Sequence, residues 1–173
     1  HIAWGVTNAT IDTQDLYIEK INPNNPLQYE FQGEWRDMAV REETIKVNGG
    51  DDVGIEVRET HHGPIISSLV DDTKDVLAMR WTVQDPSRVL QSIILLNQAQ
   101  GYDDFRTALS YWSLPSQNVV YADVEGNIAY QMPGIIPVRS NSTGMIPVPG
   151  WTGEHEWLGW VEYDDLPRLF NPE

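Results

Sequence analysis

Asp12-Thr13-Gln14-Asp15 sets two carboxylates three residues apart across an extended segment. A hard cation such as Ca2+ takes about six to eight oxygens, commonly carboxylates and backbone carbonyls. Two aspartates and a carbonyl between them would supply about half of such a shell. A turn in which Asp12 caps a neighbouring amide accounts for the same spacing, and no EF-hand loop surrounds it. His61-His62 and His155-Glu156 are the nitrogen-bearing candidates. Read as part of a strand, adjacent histidines leave on opposite faces and do not share one ion. The expectation there is ordinary hydrogen-bonded histidines. Asp71-Asp72, Asp103-Asp104 and Asp164-Asp165 read as turns and helix starts rather than the acid pair of a glycosidase. Arg58, beside Glu56 and Glu59, reads as a structural ion pair. Asn141-Ser142-Thr143 fits a glycosylation sequon, which matters only in a eukaryotic secretory pathway. Neither Gly-x-Ser-x-Gly nor a phosphate-cradling glycine loop occurs, and no nucleophile stands out.

The chain that must position these groups has 173 residues, enough for one domain or for one with a small partner. Its net charge of -15, from 11 basic and 26 acidic residues, repels nucleic acid and anionic membrane, so neither is an expected partner. The absence of cysteine excludes disulfides and thiolate metal sites. No apolar run approaches the ~20 residues of a membrane helix. Seven Trp and seven Tyr suit the core of a β-rich fold. The first residues already read as a buried strand, with no initiator Met, which suggests a piece of a longer protein.

The punctuation predicts a mostly β, α+β chain. Strands are expected over 15–21, 27–31, 38–47, 54–58, 61–67 and 77–83, separated by Asn/Pro and Gly/Asp turns. Their spacing suggests a small roll or barrel over 12–84, after a first strand over 1–11. Helices follow in 85–115. The first has Asp85 as N-cap, Pro86 at the first helical position and Val89, Leu90, Ile93, Ile94 and Leu96 on its core stripe. The second starts near Tyr102, with Phe105, Leu109 and Trp112 in line. In 116–173, strands over 118–122 and 127–131 form a hairpin with Gly126 left-handed. An irregular arm carrying Trp151, Trp157 and Trp160 comes after it.

Trp4-Gly5-Val6-Thr7-Asn8 with Asp12-x-x-Asp15-Leu16-Tyr17 resembles the early β subunit of the penicillin acylase family of N-terminal nucleophile hydrolases. Further matches occur in order: Arg41 to Val47, Thr60-His61-His62-Gly63-Pro64-Ile65, Asn118 to Tyr130, Pro147 to Trp151, and Asn171-Pro172. The resemblance covers essentially the whole chain. It implies a piece of the larger αββα fold and hydrolysis of N-acyl amides by an N-terminal Ser through an acyl-enzyme. That Ser would lie before His1, so the chain alone is expected to be inactive. The partners implied are the α chain, the remaining β chain and an N-acyl small molecule, in a periplasmic or extracellular bacterial setting.

The same resemblance assigns residues. The backbone N–H of Asn8 matches the family's oxyanion donor. Asp12, the Gln14 carbonyl and Asp15, with a carbonyl near Gly144, match its structural Ca2+ site. Val6, Ile93 and Gln117 match positions lining the acyl pocket. Ile93 stands where the penicillin G enzymes carry Trp, and Gln117 where they carry Ile, so an aliphatic or otherwise different acyl group is expected as readily as phenylacetyl. The competing reading is an acidic, Trp-rich β module that binds carbohydrate or protein. Exposed, coplanar Trp151, Trp157 and Trp160 would favour it, and buried ones the hydrolase scaffold. A glycosidase ranks last, for want of a convincing carboxylate pair.

Overall fold

The structure, a computed structural model, describes residues 1–70 and 73–173, so the expected turn at Asp71-Asp72 lies outside the described residues. The strands are β1 (Ile2–Asn8), β2 (Gln14–Glu19), β3 (Ile21–Asn22), β4 (Asn25–Phe31), β5 (Glu34–Asp37), β6 (Ala39–Ile45), β7 (Val53–Thr60), β8 (Gly63–Pro64) and β9 (Val76–Trp81). Helices α1 (Val89–Gln98) and α2 (Tyr102–Leu109) follow. The chain ends with β10 (Gln117–Asp123), β11 (Ile128–Gln131), β12 (Pro137–Arg139), β13 (Val148–Pro149), β14 (Trp157–Trp160) and β15 (Arg168–Phe170). Among the described residues no helix is long and apolar enough to cross a membrane. The chain divides into two units, each with its own core.

The first unit comprises His1–Thr13, Thr82–Val138 and Trp157–Glu173. Its main sheet has the antiparallel order β1-β10-β11-β15. Period-two alternation along β10 buries Gln117, Val119 and Tyr121 and exposes Val120 and Ala122. Val119, Tyr121 and Ala129 pack under Leu96 of α1 and Phe105, Ala108 and Leu109 of α2. Each fully buried large apolar side chain there contributes about 1.5–3 kcal/mol. The α1 stripe is narrower than its sequence suggests. Ser92 and Leu96 are buried, whereas Leu90 and Ile94 are exposed.

The start of α1 also differs from the expectation. Thr82–Gln84 coils as a 3-10 turn closed by the Asp85 N–H on the Thr82 carbonyl, so the chain reaches Pro86 outside the helix. The first helical residue is Val89 and the N-cap is Arg88, with no side-chain cap; the Val89 N–H donates instead to Ser87 Oγ at 3.2 Å, one residue before the cap. Gly126 is left-handed as expected, with φ 91°. Asp123 closes that hairpin by accepting at Oδ1 from the N–H groups of Glu125 and Asn127, both at 2.9 Å. The expected irregular arm contains short strands. β15 extends the main sheet beside β11, and β12 pairs with β14.

The second unit comprises Gln14–Trp81 and Arg139–Glu156. Among the described residues no closed barrel forms in it. Its strands make separate three-stranded sheets, β13-β2-β9, β3-β4-β5 and β6-β7-β8. Tyr17, Ala78 and Val148 form one small core and Tyr29, Phe31 and Met38 another. The strand expected over 61–67 is not there. His61 and His62 form the turn from β7 into the two-residue β8, and Ser67–Leu69 is a 3-10 turn. Gly63, at φ 125°, supplies the backbone conformation this reversal needs.

Candidate functional site

β1 is the edge strand of the main sheet, and Asn8 is its last residue. The pairing sets Asn8 opposite Gln117 and Val6 opposite Val119. In an antiparallel ladder, hydrogen-bonded and non-hydrogen-bonded pairs alternate. The Ala9 N–H donates to the Ser116 carbonyl at 3.3 Å, and the Val124 N–H to the His1 carbonyl at 3.2 Å. Both contacts place the odd-numbered residues of β1 in the hydrogen-bonded pairs. Asn8 therefore falls in a non-hydrogen-bonded pair, and its N–H faces the open edge, away from β10.

The rest of Asn8 is held. Gln117 Nε2 donates to Asn8 Oδ1 at 3.1 Å, and Asn118 Nδ2 donates to the Asn8 carbonyl at 3.2 Å. The Tyr130 hydroxyl donates to Asn118 Oδ1 at 2.7 Å and so orients that amide. Asn118 and Tyr130 have no counterpart among the sequence candidates, although Asn118 opens the Asn118–Tyr130 motif. Val6, 44% exposed, shares the sheet face of Asn8 and Gln117. The sheet thus brings together three of the expected residues. The fourth, Ile93, is carried on α1 and is 36% exposed.

Of the expected Ca2+ ligands, Asp12 belongs to the first unit, and Gln14, Asp15 and Gly144 to the second. Asp15 is 3% exposed, and Arg139 Nε donates to its Oδ2 at 2.7 Å. Beside it, burial and then the Asp15 charge push the Tyr17 hydroxyl well above the usual tyrosine range. A carboxylate with about four lone-pair sites can serve an arginine and a cation together. The all-oxygen donor set of Asp12, Gln14, Asp15 and Gly144 has the hard character Ca2+ requires.

A second cluster was not legible as such. His62 is 2% exposed and lies between two carboxylates. Its Nδ1 is 2.9 Å from Glu19 Oε1 and its Nε2 is 2.9 Å from Glu156 Oε1. Burial pushes the imidazole down, but the hydrogen bonds to Glu156 and Glu19 outweigh it and raise its pKa. Burial likewise pushes Glu156 up, yet hydrogen bonds from His61 and His62 hold it at about 2. His62 stacks on Tyr17 with ring centroids 3.7 Å apart. Gly150 leaves room for the cluster, because a Cβ there would meet Glu19 Oε2 at 2.7 Å. Glu19 and Glu156 are 43 and 94 residues from His62, separations that no local pattern reveals.

Trp157 and Trp160 are not coplanar. The Trp157 and Trp160 rings meet edge to face at 74°, and Trp151 is half-buried.

Comparison with known proteins bears on the whole chain. The family described as penicillin amidase matches residues 1–173. The chain is 34% identical to the penicillin acylase 2 proenzyme of Pseudomonas sp. (strain SE83), over 99% of this chain and 22% of that protein. It is 33% identical to the acyl-homoserine lactone acylase QuiP of Pseudomonas fluorescens (strain Pf0-1), over 96% of this chain and 21% of that protein. The fold is similar to a thermostable penicillin G acylase from Alcaligenes faecalis. That match has a TM-score of 0.83 and 32% identity, and covers 99% of this chain and 31% of that one. The chain thus spans about a fifth of the length of the curated relatives it matches.

Proposed function

The chain belongs to the penicillin amidase family, and from that premise we propose that it forms part of an acylase that hydrolyses N-acyl amides. The observation that carries this reading is the outward N–H of Asn8, held by Gln117 and Asn118 at the edge of the sheet. Attack on an amide carbonyl turns its oxygen into an oxyanion. A fixed N–H aimed at that oxygen stabilises the charge as it develops and needs no reorganisation to do so. One such donor lowers the barrier by about 3–4 kcal/mol.

The nucleophile in this reading is the N-terminal Ser that the family resemblance implies, supplied from outside the chain. Its hydroxyl oxygen bonds to the carbonyl carbon while its own α-amino group takes the proton. The amine leaves with a proton, and water then releases the acid from the acyl-enzyme. Isolated, the 173-residue chain is inactive. Val6, Ile93 and Gln117 line the acyl side of the site. With two aliphatic side chains and no aromatic among them, the acyl group accepted is not confined to phenylacetyl.

Asp12, Asp15 and the Gln14 carbonyl, with a carbonyl near Gly144, contribute oxygen ligands to a structural Ca2+ completed by the remainder of the protein. That ion would offset the charge of the buried Asp15 beside Arg139 and so brace the start of β2. Calorimetric titration of the full protein with Ca2+ is expected to show binding that Asp12→Ala and Asp15→Ala each abolish. The enzymatic reading is tested by offering the full protein phenylacetyl and aliphatic N-acyl amines, penicillins and N-acyl-homoserine lactones. Release of free amine from at least one class is expected, and release from none contradicts the reading.

A further inference from the structure

We propose that His61, His62 and Glu156 form a binding site for a divalent transition-metal ion, with Zn2+ the best fit. The proposal is independent of the acylase reading.

The geometry comes from the turn. A strand would send neighbouring histidines to opposite faces. In the reversal between β7 and β8 the two rings instead lie side by side, with centroids 3.7 Å apart and planes tilted by 40°. One ligand atom from each of His61, His62 and Glu156 lies within 4.8 Å of the others. His62 Nε2 is 2.9 Å from Glu156 Oε1, and His61 Nε2 is 3.6 Å from Glu156 Oε2. With Zn–N and Zn–O bonds of about 2.0–2.2 Å, neighbouring ligand atoms on a tetrahedron stand roughly 3.3–3.5 Å apart. Closure around an ion therefore needs only small shifts.

The groups behind the ligands are already arranged. Histidines that bind a metal through one nitrogen usually donate the other N–H to a carboxylate or similar acceptor, which fixes tautomer and ring orientation. His62 Nδ1 meets Glu19 Oε1 at 2.9 Å, and the same oxygen accepts from Thr60 Oγ1 at 2.6 Å. His61 Nδ1 meets the Tyr29 hydroxyl at 3.1 Å. Both imidazoles are thus held from behind with Nε2 towards Glu156. Tyr17 stacked on His62 and Phe31 set edge-on to His61 at 4.3 Å restrict the rings further.

Charge and a buried oxygen point the same way. Glu19 is fully buried at its side chain, and its Oε2 has no hydrogen-bond partner among the described residues. Glu19 and Glu156 flank His62 on its two ring nitrogens in a largely buried cluster. A divalent ion held by Glu156 and the two Nε2 atoms would offset carboxylate charge in that buried setting. His61 and Glu156 are 28% and 29% exposed at their side chains, which provides an entry path and room for water as the fourth ligand. Two imidazoles and one carboxylate suit Zn2+ rather than an oxygen-seeking Ca2+.

Co2+, which reports its coordination in the visible spectrum, tests the site in the full protein after treatment with EDTA and dialysis. One equivalent is expected to give the intense bands of tetrahedral nitrogen and oxygen coordination, which one equivalent of Zn2+ abolishes. His61→Ala should lose the bands while keeping its far-UV circular dichroism. Glu19→Gln should weaken Zn2+ binding by about 10–100-fold, since it acts through His62. Asp12→Ala should leave the bands intact. A Co2+ spectrum in the unaltered protein no different from the aqueous ion overturns the proposal, and this readout does not depend on any variant folding. Bands that survive His61→Ala, or that vanish in Asp12→Ala, overturn it as well.

Discussion

Gln117 on β10 donates its side-chain amide to Asn8 Oδ1 on β1 at 3.1 Å, across a pair whose backbones exchange no hydrogen bonds. The contact orients the residue whose backbone N–H looks outward. Gln117 itself is only 6% exposed, so this donor is held in place.

Replacing Gln117 with Met keeps most of its volume and removes the donor. A neutral hydrogen bond contributes about 1 kcal/mol, so the variant is expected to lose up to that much stability and kcat of the full protein to fall by up to about fivefold. Steady-state kinetics on the best substrate, alongside a melting curve, checks both.

Glu19→Ala leaves the buried His62 with one carboxylate partner instead of two. Removing one member of a buried charge pair costs about 3–5 kcal/mol. In EDTA, urea denaturation should show that loss as a lowered midpoint at nearly constant slope. A loss below about 1 kcal/mol, the range of exposed pairs, would mean that the cluster is solvated.

Gly134 has φ 145°, and a Cβ there would stand 2.8 Å from the Cβ of Ser116. Gly134→Ala therefore combines backbone strain with a clash one residue from Gln117. A destabilisation of about 1–3 kcal/mol is expected, measured by urea denaturation, together with a fall in kcat as β10 shifts.

Asp123 supplies a pH test. Hydrogen bonds from Asn127 foremost, with others from Tyr121 and Glu125, outweigh desolvation and lower its pKa. A carboxylate whose folded pKa is depressed contributes stability above its unfolded value, about 3.9, and that stability is lost as pH falls through the folded value. Asp123→Asn should thus be less stable than the unaltered protein at pH 6, and the difference should shrink as pH falls below about 4. A constant difference from pH 6 to pH 3 would contradict this assignment.

The readable parts of this chain were those with local period. Val119 and Tyr121 alternate with exposed neighbours along β10, and Phe105 and Leu109 line one face of α2, so these elements stand close to where the residue pattern puts them. β12, β14 and β15 are three or four residues long and rest on distant partners, too little sequence for a period to show. The barrel expected over the first strands fails for a related reason. Strand spacing says nothing about which edges pair, and here the edges close into separate sheets. Opposite-face reasoning for His61 and His62 holds for a strand, but Gly63 turns the chain and brings the rings together. The alignment of Asn8 with Gln117 needs the register of β1 on β10, which neither segment carries alone.

Asn8→Pro deletes the Asn8 N–H and so isolates its part in oxyanion stabilisation. Proline is tolerated on an edge strand where the N–H faces out of the ladder, so the sheet should survive. Asn8→Ala keeps the N–H and loses only the side-chain contact with Gln117. In the full protein kcat is expected to fall about 100- to 1000-fold in Asn8→Pro and less than about tenfold in Asn8→Ala. Equal kcat values in the two variants, with both folded, would contradict it.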